Sequence, residues 1–286
     1  MLRDKIKLVI IEDTINDDGG FKMAVFQMDV FSKALERKTC IHMVMPNDIP
    51  PTMTEGNENY IRKMKVLFLL HGYSGSSNDW LLGSTIQELA IKYNIAIVMP
   101  SGDNSFYLDG KGKGRAYCRY VGEELVDYVR DTFSLSKDKE DTYIGGLSMG
   151  GFGAIHTGLY YPETFGKIVA LSSALIIHNI KNKTEEFEDA IADYAYYSSV
   201  FGDLDKLESN KNNPEYLIKE LKKENKPIPA IYMACGTEDF LIQENRAFHK
   251  FLEDEDVDVE YIESPGIHDW NFWNSYLEPS IQWILG

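Results

Sequence analysis

Cysteine is scarce in this sequence of 286 residues. The three cysteines, Cys40, Cys118 and Cys235, lie far apart and form none of the close pairs that are typical of zinc sites and disulfide frameworks. The spacing therefore argues against a fold held together by a metal or by disulfides, and it predicts buried free thiols.

Basic residues are also fewer than acidic ones. The chain has 29 Lys and Arg residues against 45 Asp and Glu residues, which gives a formal net charge of −16. A surface of this sign repels the phosphate backbone of nucleic acids and the anionic surface of membranes. We therefore expect neither nucleic acid nor a membrane as a partner, while formation of a homo-oligomer stays open.

Long hydrophobic runs are missing as well. A short apolar patch near the N-terminus is followed directly by acidic residues, without an export cleavage site or a segment long enough to cross a bilayer. This pattern favours a cytoplasmic location. Hydrophobic residues make up 44% and charged residues 26% of the chain, and the length fits a single α/β domain spanning 1–286.

Strands and helices are predicted in alternation along most of the chain. Two segments with alternating apolar residues between Phe21 and Met45 predict a hairpin at the start of a sheet. Further strands are predicted at 66–70, 95–100, 142–146, 167–173, 230–236 and 257–263, and helices at 84–93, 120–133, after Gly150, at 242–253 and from 271 onwards. This order is typical of a mostly parallel sheet with helices on both faces. The stretch 174–229 has no buried strand pattern, and we interpret it as an insertion that shapes a substrate site.

The pentapeptide Gly146-Leu147-Ser148-Met149-Gly150 lies between a predicted strand and a predicted helix. A serine hydroxyl becomes a good nucleophile only when a base takes its proton, and a sharp strand-to-helix turn holds the hydroxyl within reach of that base. Small residues flank the serine because the turn is tight. The same pattern also occurs in glycine-rich connections without chemistry, so its meaning depends on the other residues of a catalytic site.

A second glycine-containing loop, His71-Gly72-Tyr73, directly follows the predicted strand 66–70. In this type of sheet, such a loop lies beside the nucleophile and supplies one backbone N–H group to the oxyanion hole. We predict the N–H groups of Tyr73 and Met149 as the two donors. His71 is interpreted as a residue that braces the loop by hydrogen bonds.

The catalytic base is expected to follow Ser148 at a long distance in the chain. His268 lies in a loop between the last predicted strand and the last predicted helix, whereas His249 lies inside a predicted helix. A side chain on a loop can reach over the edge of the sheet, so His268 is the predicted base.

The acid that orients this base is expected after the preceding strand. Two adjacent carboxylates, Glu238 and Asp239, follow the predicted strand 230–236. We favour Asp239, because this position of the turn is the usual one for the group that accepts the imidazole N–H. Asp269 is adjacent to His268, but side chains that are adjacent in a loop rarely face each other, so a capping or solvated role is expected.

Four aromatic residues near these loops are candidates for lining a substrate pocket: Trp80, Phe106, Tyr107 and Trp270. Core packing explains such residues at least as well.

Seven sequence blocks, in this order from residue 23 onwards, resemble the esterase D and feruloyl esterase branch of the α/β hydrolases, and most closely the bacterial tributyrin-type esterases. The blocks are FLLHGYSG, IVMPSGDNSFY, EELVDYV, YIGGLSMGGFGA, FGDLDKLESNKNNPEYLIKEL, ACGTEDFL and GIHDWNFWN. The resemblance implies the α/β-hydrolase fold, a triad of Ser148, Asp239 and His268, and no metal or organic cofactor. It also implies hydrolysis of short-chain acyl esters, with acetylated sugars and hydroxycinnamate esters as substrates of some members.

Three alternatives stay open. An acyltransferase would pass the acyl group to an alcohol instead of water. An S-formylglutathione hydrolase-like thioesterase belongs to the same broad group, although such enzymes usually carry His where this chain has Leu147. A hydrolase fold that serves only as a binding module usually lacks a member of the triad. The segment before Met23 and the turn GKGKG at 110–114 depart from the family pattern and leave the shape of the acyl pocket open.

Overall fold

One nine-stranded sheet organises the protein. The computed structural model describes residues 9–10, 24–47 and 49–286. The strands are β1 (Val9–Ile10), β2 (Ala24–Ser32), β3 (Arg37–Met45), β4 (Lys65–Leu70), β5 (Ile95–Pro100), β6 (Thr142–Leu147), β7 (Lys167–Leu171), β8 (Ala230–Gly236) and β9 (Val259–Ser264). Their order in the sheet is β1-β2-β3-β5-β4-β6-β7-β8-β9.

Eleven α-helices join or flank these strands within the described residues. They are α1 (Pro51–Thr54), α2 (Asp79–Gly83), α3 (Ile86–Tyr93), α4 (Tyr117–Arg119), α5 (Leu125–Phe133), α6 (Met149–Tyr160), α7 (Ile177–Ile180), α8 (Tyr194–Phe201), α9 (Pro214–Lys223), α10 (Ile242–Asp254) and α11 (Trp270–Leu285). Short 3₁₀ turns occur at Glu58–Tyr60, Lys139–Asp141 and Leu204–Ser209, and a π turn at Tyr120–Glu124 joins α4 to α5. Among the helices of these ranges, none has the length and apolar character needed to cross a membrane.

The sheet is mostly parallel, as the sequence pattern predicts. Strands β5, β4, β6, β7, β8 and β9 run parallel to one another, whereas β1, β2 and β3 form an antiparallel edge that joins β5. The predicted hairpin is β2 and β3; its residues 21–23 lie outside the described part of the chain. The carboxyl ends of the parallel strands lie along one edge of the sheet, where open α/β sheets bind ligands.

The two faces of the sheet carry separate hydrophobic cores. Successive side chains of a strand point to opposite faces, so Val66, Phe68 and Leu70 of β4 join one core while Leu67 and Leu69 join the other. Helices α5, α6, α9 and α10 cover the first face, and α3 and α11 cover the second. Both faces of the central strands are therefore buried, which is why their sequences are continuous apolar runs.

The segment 174–229 consists of α7, α8, a 3₁₀ turn and α9, without a strand. Tyr197, Phe201, Leu207 and Ile218 are buried in the same core as α6. The segment is therefore packed against the sheet's helical layer along much of its length, and an isolated bridge between Glu188 and Asp193 is its only extended pairing among described residues.

The three cysteines are free thiols, as expected. Cys118 and Cys235 are buried, but Cys40 is only half-buried because it lies on β3, in the antiparallel part of the sheet.

Candidate active site

Ser148 occupies the turn between β6 and α6, where its backbone has a φ of 54° and a ψ of −120°. Positive φ is uncommon for a residue with a side chain and costs about 1–3 kcal/mol, so neighbouring contacts must hold it. The N–H of Ser148 donates to the Leu171 carbonyl at 2.9 Å, and its own carbonyl accepts the N–H groups of Phe152 and Ala174 at 3.1 and 3.0 Å. Within 142–159, Ser148 is the one residue that is not buried. The turn therefore leaves Ser148 partly accessible at the carboxyl end of β6.

Two glycines allow the turn to be this tight. A Cβ atom at Gly150 would lie 2.6 Å from the carbonyl oxygen of His71, and one at Gly146 would lie 2.9 Å from the carbonyl oxygen of Leu70. These separations are shorter than the contact distance of carbon and oxygen, so no side chain fits at either position. The glycine spacing around Ser148 is thus required by the close approach of α6 to the end of β4.

Asp239 and His268 are joined by a hydrogen bond, with Nδ1 of His268 at 2.8 Å from Oδ2 of Asp239. The two residues follow β8 and β9, which are adjacent and parallel, so their loops meet at the same edge of the sheet. The side chain of Asp239 is fully buried, and its Oδ1 accepts the N–H of Leu241 at 2.9 Å. The carboxylate is placed to hold the imidazole in one orientation, with Nε2 as the nitrogen that can accept a proton.

Two opposing effects set the pKa of Asp239. Burial raises it, because desolvation disfavours the charged carboxylate. Hydrogen bonds from His268 and the Leu241 N–H, together with the attraction of the imidazole, act in the other direction and lower the pKa overall. Asp239 is therefore ionised at neutral pH, as a carboxylate that stabilises an imidazolium must be.

We expect Asp239 to make the stability of the protein depend on pH in acid. A carboxyl group whose pKa is lowered by folding stabilises the native state above its unfolded-state pKa of about 3.9 and loses this contribution as the pH falls through its folded-state pKa. The unfolding free energy of Asp239→Asn should therefore fall less steeply than that of the wild type below about pH 4. Denaturant titrations of both proteins across this range measure the two slopes, and equal slopes would contradict the prediction.

The other carboxylates near His268 have different partners. Glu238 is exposed and accepts the Gly266 N–H at 2.6 Å, which ties the loop of Asp239 to the loop of His268. Asp269 caps the start of α11 by accepting the N–H of Phe272 at 2.9 Å, in agreement with the expected capping role. The described residues include no group of three or more His, Cys, Asp or Glu side chains placed to hold a metal ion.

The loop that begins at His71 lies against the turn of Ser148. A Cβ atom at Gly72 would stand 3.5 Å from the Cβ atom of Ser148. Within the described part of the chain, neither the N–H of Tyr73 nor the N–H of Met149 donates to a protein acceptor. Met149 is also the first residue of α6, where the aligned peptide dipoles favour negative charge. Both N–H groups therefore lack a protein acceptor among the described residues, and their role as oxyanion donors stays a prediction.

His71 braces this loop through both of its ring nitrogens. Nδ1 lies 2.7 Å from the carbonyl oxygen of Gly72, and Nε2 accepts the N–H of Gly102 at 2.8 Å. Burial lowers the pKa of His71, so the ring is neutral and the tautomer with its proton on Nδ1 satisfies both bonds. A ring held in this way supports the loop, as the sequence suggests, and has no free nitrogen for proton transfer.

The aromatic residues predicted to line a pocket have mostly supporting positions. Trp80, Phe106 and Tyr107 are at most 2% exposed. Trp80 and Tyr107 donate hydrogen bonds of 3.0 and 3.2 Å to the backbone carbonyls of Leu70, at the end of β4, and of His71. In place of the predicted pocket lining, the structure gives these three side chains positions in the core beneath the site. Trp270 is half-buried and packs edge-on against Trp80, and its contact with a substrate stays a prediction.

Two other aromatic rings contact His268. Phe240 is 68% exposed, and its ring centroid lies 4.6 Å from that of His268. Trp273, which is buried, packs edge-on against His268 at 5.1 Å. The sequence analysis did not predict that either ring contacts His268. The signal for Phe240 was a large apolar side chain in a loop, directly after Asp239.

Comparisons with known proteins address the family. A family model, Esterase, described as "Putative esterase", matches residues 32–284. The chain is 45% identical over 262 residues to an acetyl esterase of Caldicellulosiruptor saccharolyticus, and the match covers 92% of this chain and 98% of that protein.

Solved structures of serine hydrolases have the same fold. The fluorophosphonate-binding serine hydrolase F of Staphylococcus aureus is 28% identical and superposes with a TM-score of 0.79, over 92% of this chain and 99% of that one. An S-formylglutathione hydrolase of the same organism is also 28% identical, with a TM-score of 0.77 over 93% of this chain and 100% of that one. These similarities confirm the predicted α/β-hydrolase fold and the resemblance noted in the sequence blocks. The chain belongs to the esterase family of serine hydrolases.

Proposed function

We propose that this protein is a serine carboxylesterase that hydrolyses short-chain acyl esters, with acetyl esters as the first candidates. The observation that carries the proposal is the hydrogen bond between the buried Asp239 and His268, at the same sheet edge as the half-buried Ser148. The 45% identity to an acetyl esterase supports the choice of acyl group.

The proposed reaction has two acyl-transfer steps. The hydroxyl oxygen of Ser148 attacks the ester carbonyl carbon while Nε2 of His268 takes the hydroxyl proton. The negative charge that forms on the carbonyl oxygen is stabilised by the N–H groups of Tyr73 and Met149. The C–O bond to the alcohol then breaks, and His268 returns its proton to the departing alcohol. Water attacks the acyl-enzyme by the same path and releases the carboxylic acid, while Asp239 stays ionised throughout.

We also propose that residues 1–286 form a single domain in which 174–229 is a cap-like insertion that shapes the substrate site. Its helix α8 supports this role, because the Tyr196 ring packs edge-on against Tyr73 with a centroid distance of 5.9 Å. The hydroxyl of Tyr196 also donates to the carbonyl of Asn104 at 2.8 Å. The insertion thereby contacts the loop that is proposed to hold the oxyanion.

A panel of p-nitrophenyl acetate, butyrate and octanoate, together with methyl ferulate, tests the proposal. We expect kcat/KM to be highest for acetate or butyrate and to fall for octanoate. An added methylene that the acyl pocket cannot accommodate should lower kcat/KM by about tenfold or more. A wild-type enzyme that hydrolyses none of these esters, under conditions where circular dichroism shows it to be folded, would contradict the proposal and favour the binding-module alternative.

A thioesterase is the second candidate, because the S-formylglutathione hydrolase of Staphylococcus aureus has the same fold over nearly its whole length. The same acyl-enzyme would form from a thioester. Comparing kcat/KM for S-formylglutathione and for p-nitrophenyl acetate discriminates the two candidates. Acyl transfer to an alcohol is tested in the same assay by adding methanol and measuring the methyl ester formed.

The cytoplasmic location and the oligomeric state also stay proposals. Three free thiols support a reducing compartment, where disulfides are rare. Cell fractionation tests the location, and size-exclusion chromatography with light scattering tests for a homo-oligomer.

A further inference from the structure

A cavity of about 710 Å³ opens beside the loop of the predicted oxyanion hole. It is lined by Leu35, Glu36, Arg37, Tyr73, Asp103, Asn104, Ser105, Lys113, Gly114, Arg115, Tyr117 and Tyr196. Tyr73 belongs to this wall, and a Cβ atom added at the preceding Gly72 would lie 3.5 Å from the Cβ atom of Ser148, so the wall includes the neighbour of a residue that lies close to the proposed nucleophile. Its volume lies in the range of pockets that enclose a small organic molecule, and it exceeds the few atoms of an acetyl group by far.

The glycine-rich turn at 110–114, which departs from the family pattern, forms part of the wall. The N–H of Gly110 donates to the carbonyl of Arg115 at 3.0 Å, and the N–H of Lys111 donates to the carbonyl of Ser199 on α8 at 2.8 Å. The backbone of the turn is thereby fixed to the inserted segment. This anchoring presents Lys113 and Arg115 to the cavity.

The cations of the wall differ in their partners. Arg37 forms an ion pair with Asp103 and donates to the hydroxyl of Tyr117 at 2.7 Å, so its charge is already neutralised. Lys113 and Arg115 have no ion pair and no side-chain hydrogen bond with the described residues. Both side chains are therefore free to pair with a negatively charged ligand in the cavity.

The carboxylates of the wall offset these charges only in part. Glu36 and Asp103 are its only acidic residues, and Asp103 is already paired with Arg37, which leaves two cations against the single carboxylate of Glu36. Arg115 and the aromatic residues Tyr73 and Tyr196 line the same cavity. The cavity therefore offers an aromatic face and free positive charge side by side.

We propose that this cavity binds the alcohol part of the ester, and that Lys113 and Arg115 favour alcohols that carry a carboxylate. The inference rests on the proposed esterase function. The small acyl group needs little of the space, so the larger alcohol part fills it. A ring of the alcohol packs against Tyr73 and Tyr196, and its carboxylate accepts hydrogen bonds from the two cations.

Two acetyl esters with the same ring test the proposal: 4-acetoxybenzoate, which is anionic, and 4-acetoxybenzamide, which is neutral and similar in shape. The ratio of their kcat/KM values removes effects on the acyl-transfer chemistry that the two esters share. We expect the double variant Lys113→Gln with Arg115→Gln to lower the ratio by about tenfold, since each exposed ion pair contributes a factor of about three to five. Added salt should lower the ratio of the wild type in the same direction.

Lys137→Gln is the matched control, because Lys137 is an exposed lysine paired with Asp131 on the surface and lies outside the cavity. It should leave the ratio unchanged. If the double variant has the wild-type ratio and still hydrolyses 4-acetoxybenzamide at the wild-type rate, the proposed role of Lys113 and Arg115 in selecting anionic alcohols is wrong. A wild type that hydrolyses neither ester would instead overturn the proposed function.

Discussion

Replacing Ser148 with alanine should lower kcat/KM for acetyl esters by about four to six orders of magnitude. The hydroxyl oxygen is the atom proposed to form the acyl-enzyme. Ser172 also has a positive φ, at the end of the adjacent strand β7, but it is fully buried and cannot replace Ser148. Fold stability should change little, since the backbone bonds of Ser148 to Leu171, Phe152 and Ala174 do not involve the hydroxyl. Initial rates with p-nitrophenyl acetate, together with a thermal melt, measure both quantities.

Ser134→Ala is the matched control for this prediction. The backbone φ of Ser134 is 55°, nearly the same as the 54° of Ser148. Ser134 follows α5 and lies at the end of the sheet where β6 begins, whereas Ser148 lies at the end where β6 finishes. It should keep wild-type activity. Equal activity of Ser148→Ala and the wild type would remove Ser148 as the nucleophile, whatever the control shows.

Replacing Asp239 with asparagine should lower kcat by about four orders of magnitude. The neutral amide no longer stabilises the imidazolium that forms during acyl transfer, and its N–H₂ group favours the wrong tautomer of His268. The effect should appear in kcat much more than in KM, because the side chain of Asp239 is fully buried and cannot contact a substrate. Steady-state kinetics with p-nitrophenyl acetate separate the two constants.

Glu238→Gln is the control that distinguishes the two adjacent acids. Glu238 accepts the N–H of Gly266 and makes no hydrogen bond with His268, and glutamine keeps an oxygen that can accept the same bond. Its kcat should remain within about tenfold of the wild type. A larger loss in Glu238→Gln than in Asp239→Asn would exchange the assignments of the two carboxylates.

Most of the parallel sheet was predictable, because its strands are buried on both faces. The run IAIVMP coincides with β5, and the predicted strands at 66–70 and 142–146 differ from β4 and β6 by one residue at one end. The predicted helix at 84–93 corresponds to α3, which begins two residues later at Ile86, and the short helix α2 before it was not predicted. Ser84 accounts for the break between the two helices, since its hydroxyl bonds to the carbonyl of Trp80 and the N–H of Ile86 and so competes with the helix.

Other elements had no local signal. β1 has two residues and exists only through its pairing with β2. Helices α8 and α9 were left unassigned inside 174–229, because their apolar residues meet a core that is built by distant parts of the chain. The strand order, with β5 between β3 and β4, depends on which strands pair and not on their sequences.

The sequence by itself determined the type and order of the candidate catalytic residues. A tight turn at Ser148 requires glycines on both sides, and a serine, an acid and a histidine that follow three strands of the predicted parallel sheet, in this order, indicate one chemistry. These signals are local in the chain, because backbone sterics and side-chain chemistry act within a few residues.

Only the tertiary structure decided which side chains meet. It joined Asp239, and not Glu238, to His268; it enclosed Trp80, Phe106 and Tyr107 in the core; and it placed Phe240 on the ring of His268. It also brought the turn at 110–114 and the inserted helix α8 to the wall of one cavity beside Tyr73. The physical reason is that burial, ion pairing and cavity shape depend on contacts between segments far apart in the sequence, and the periodicity of one segment carries no information about its partner.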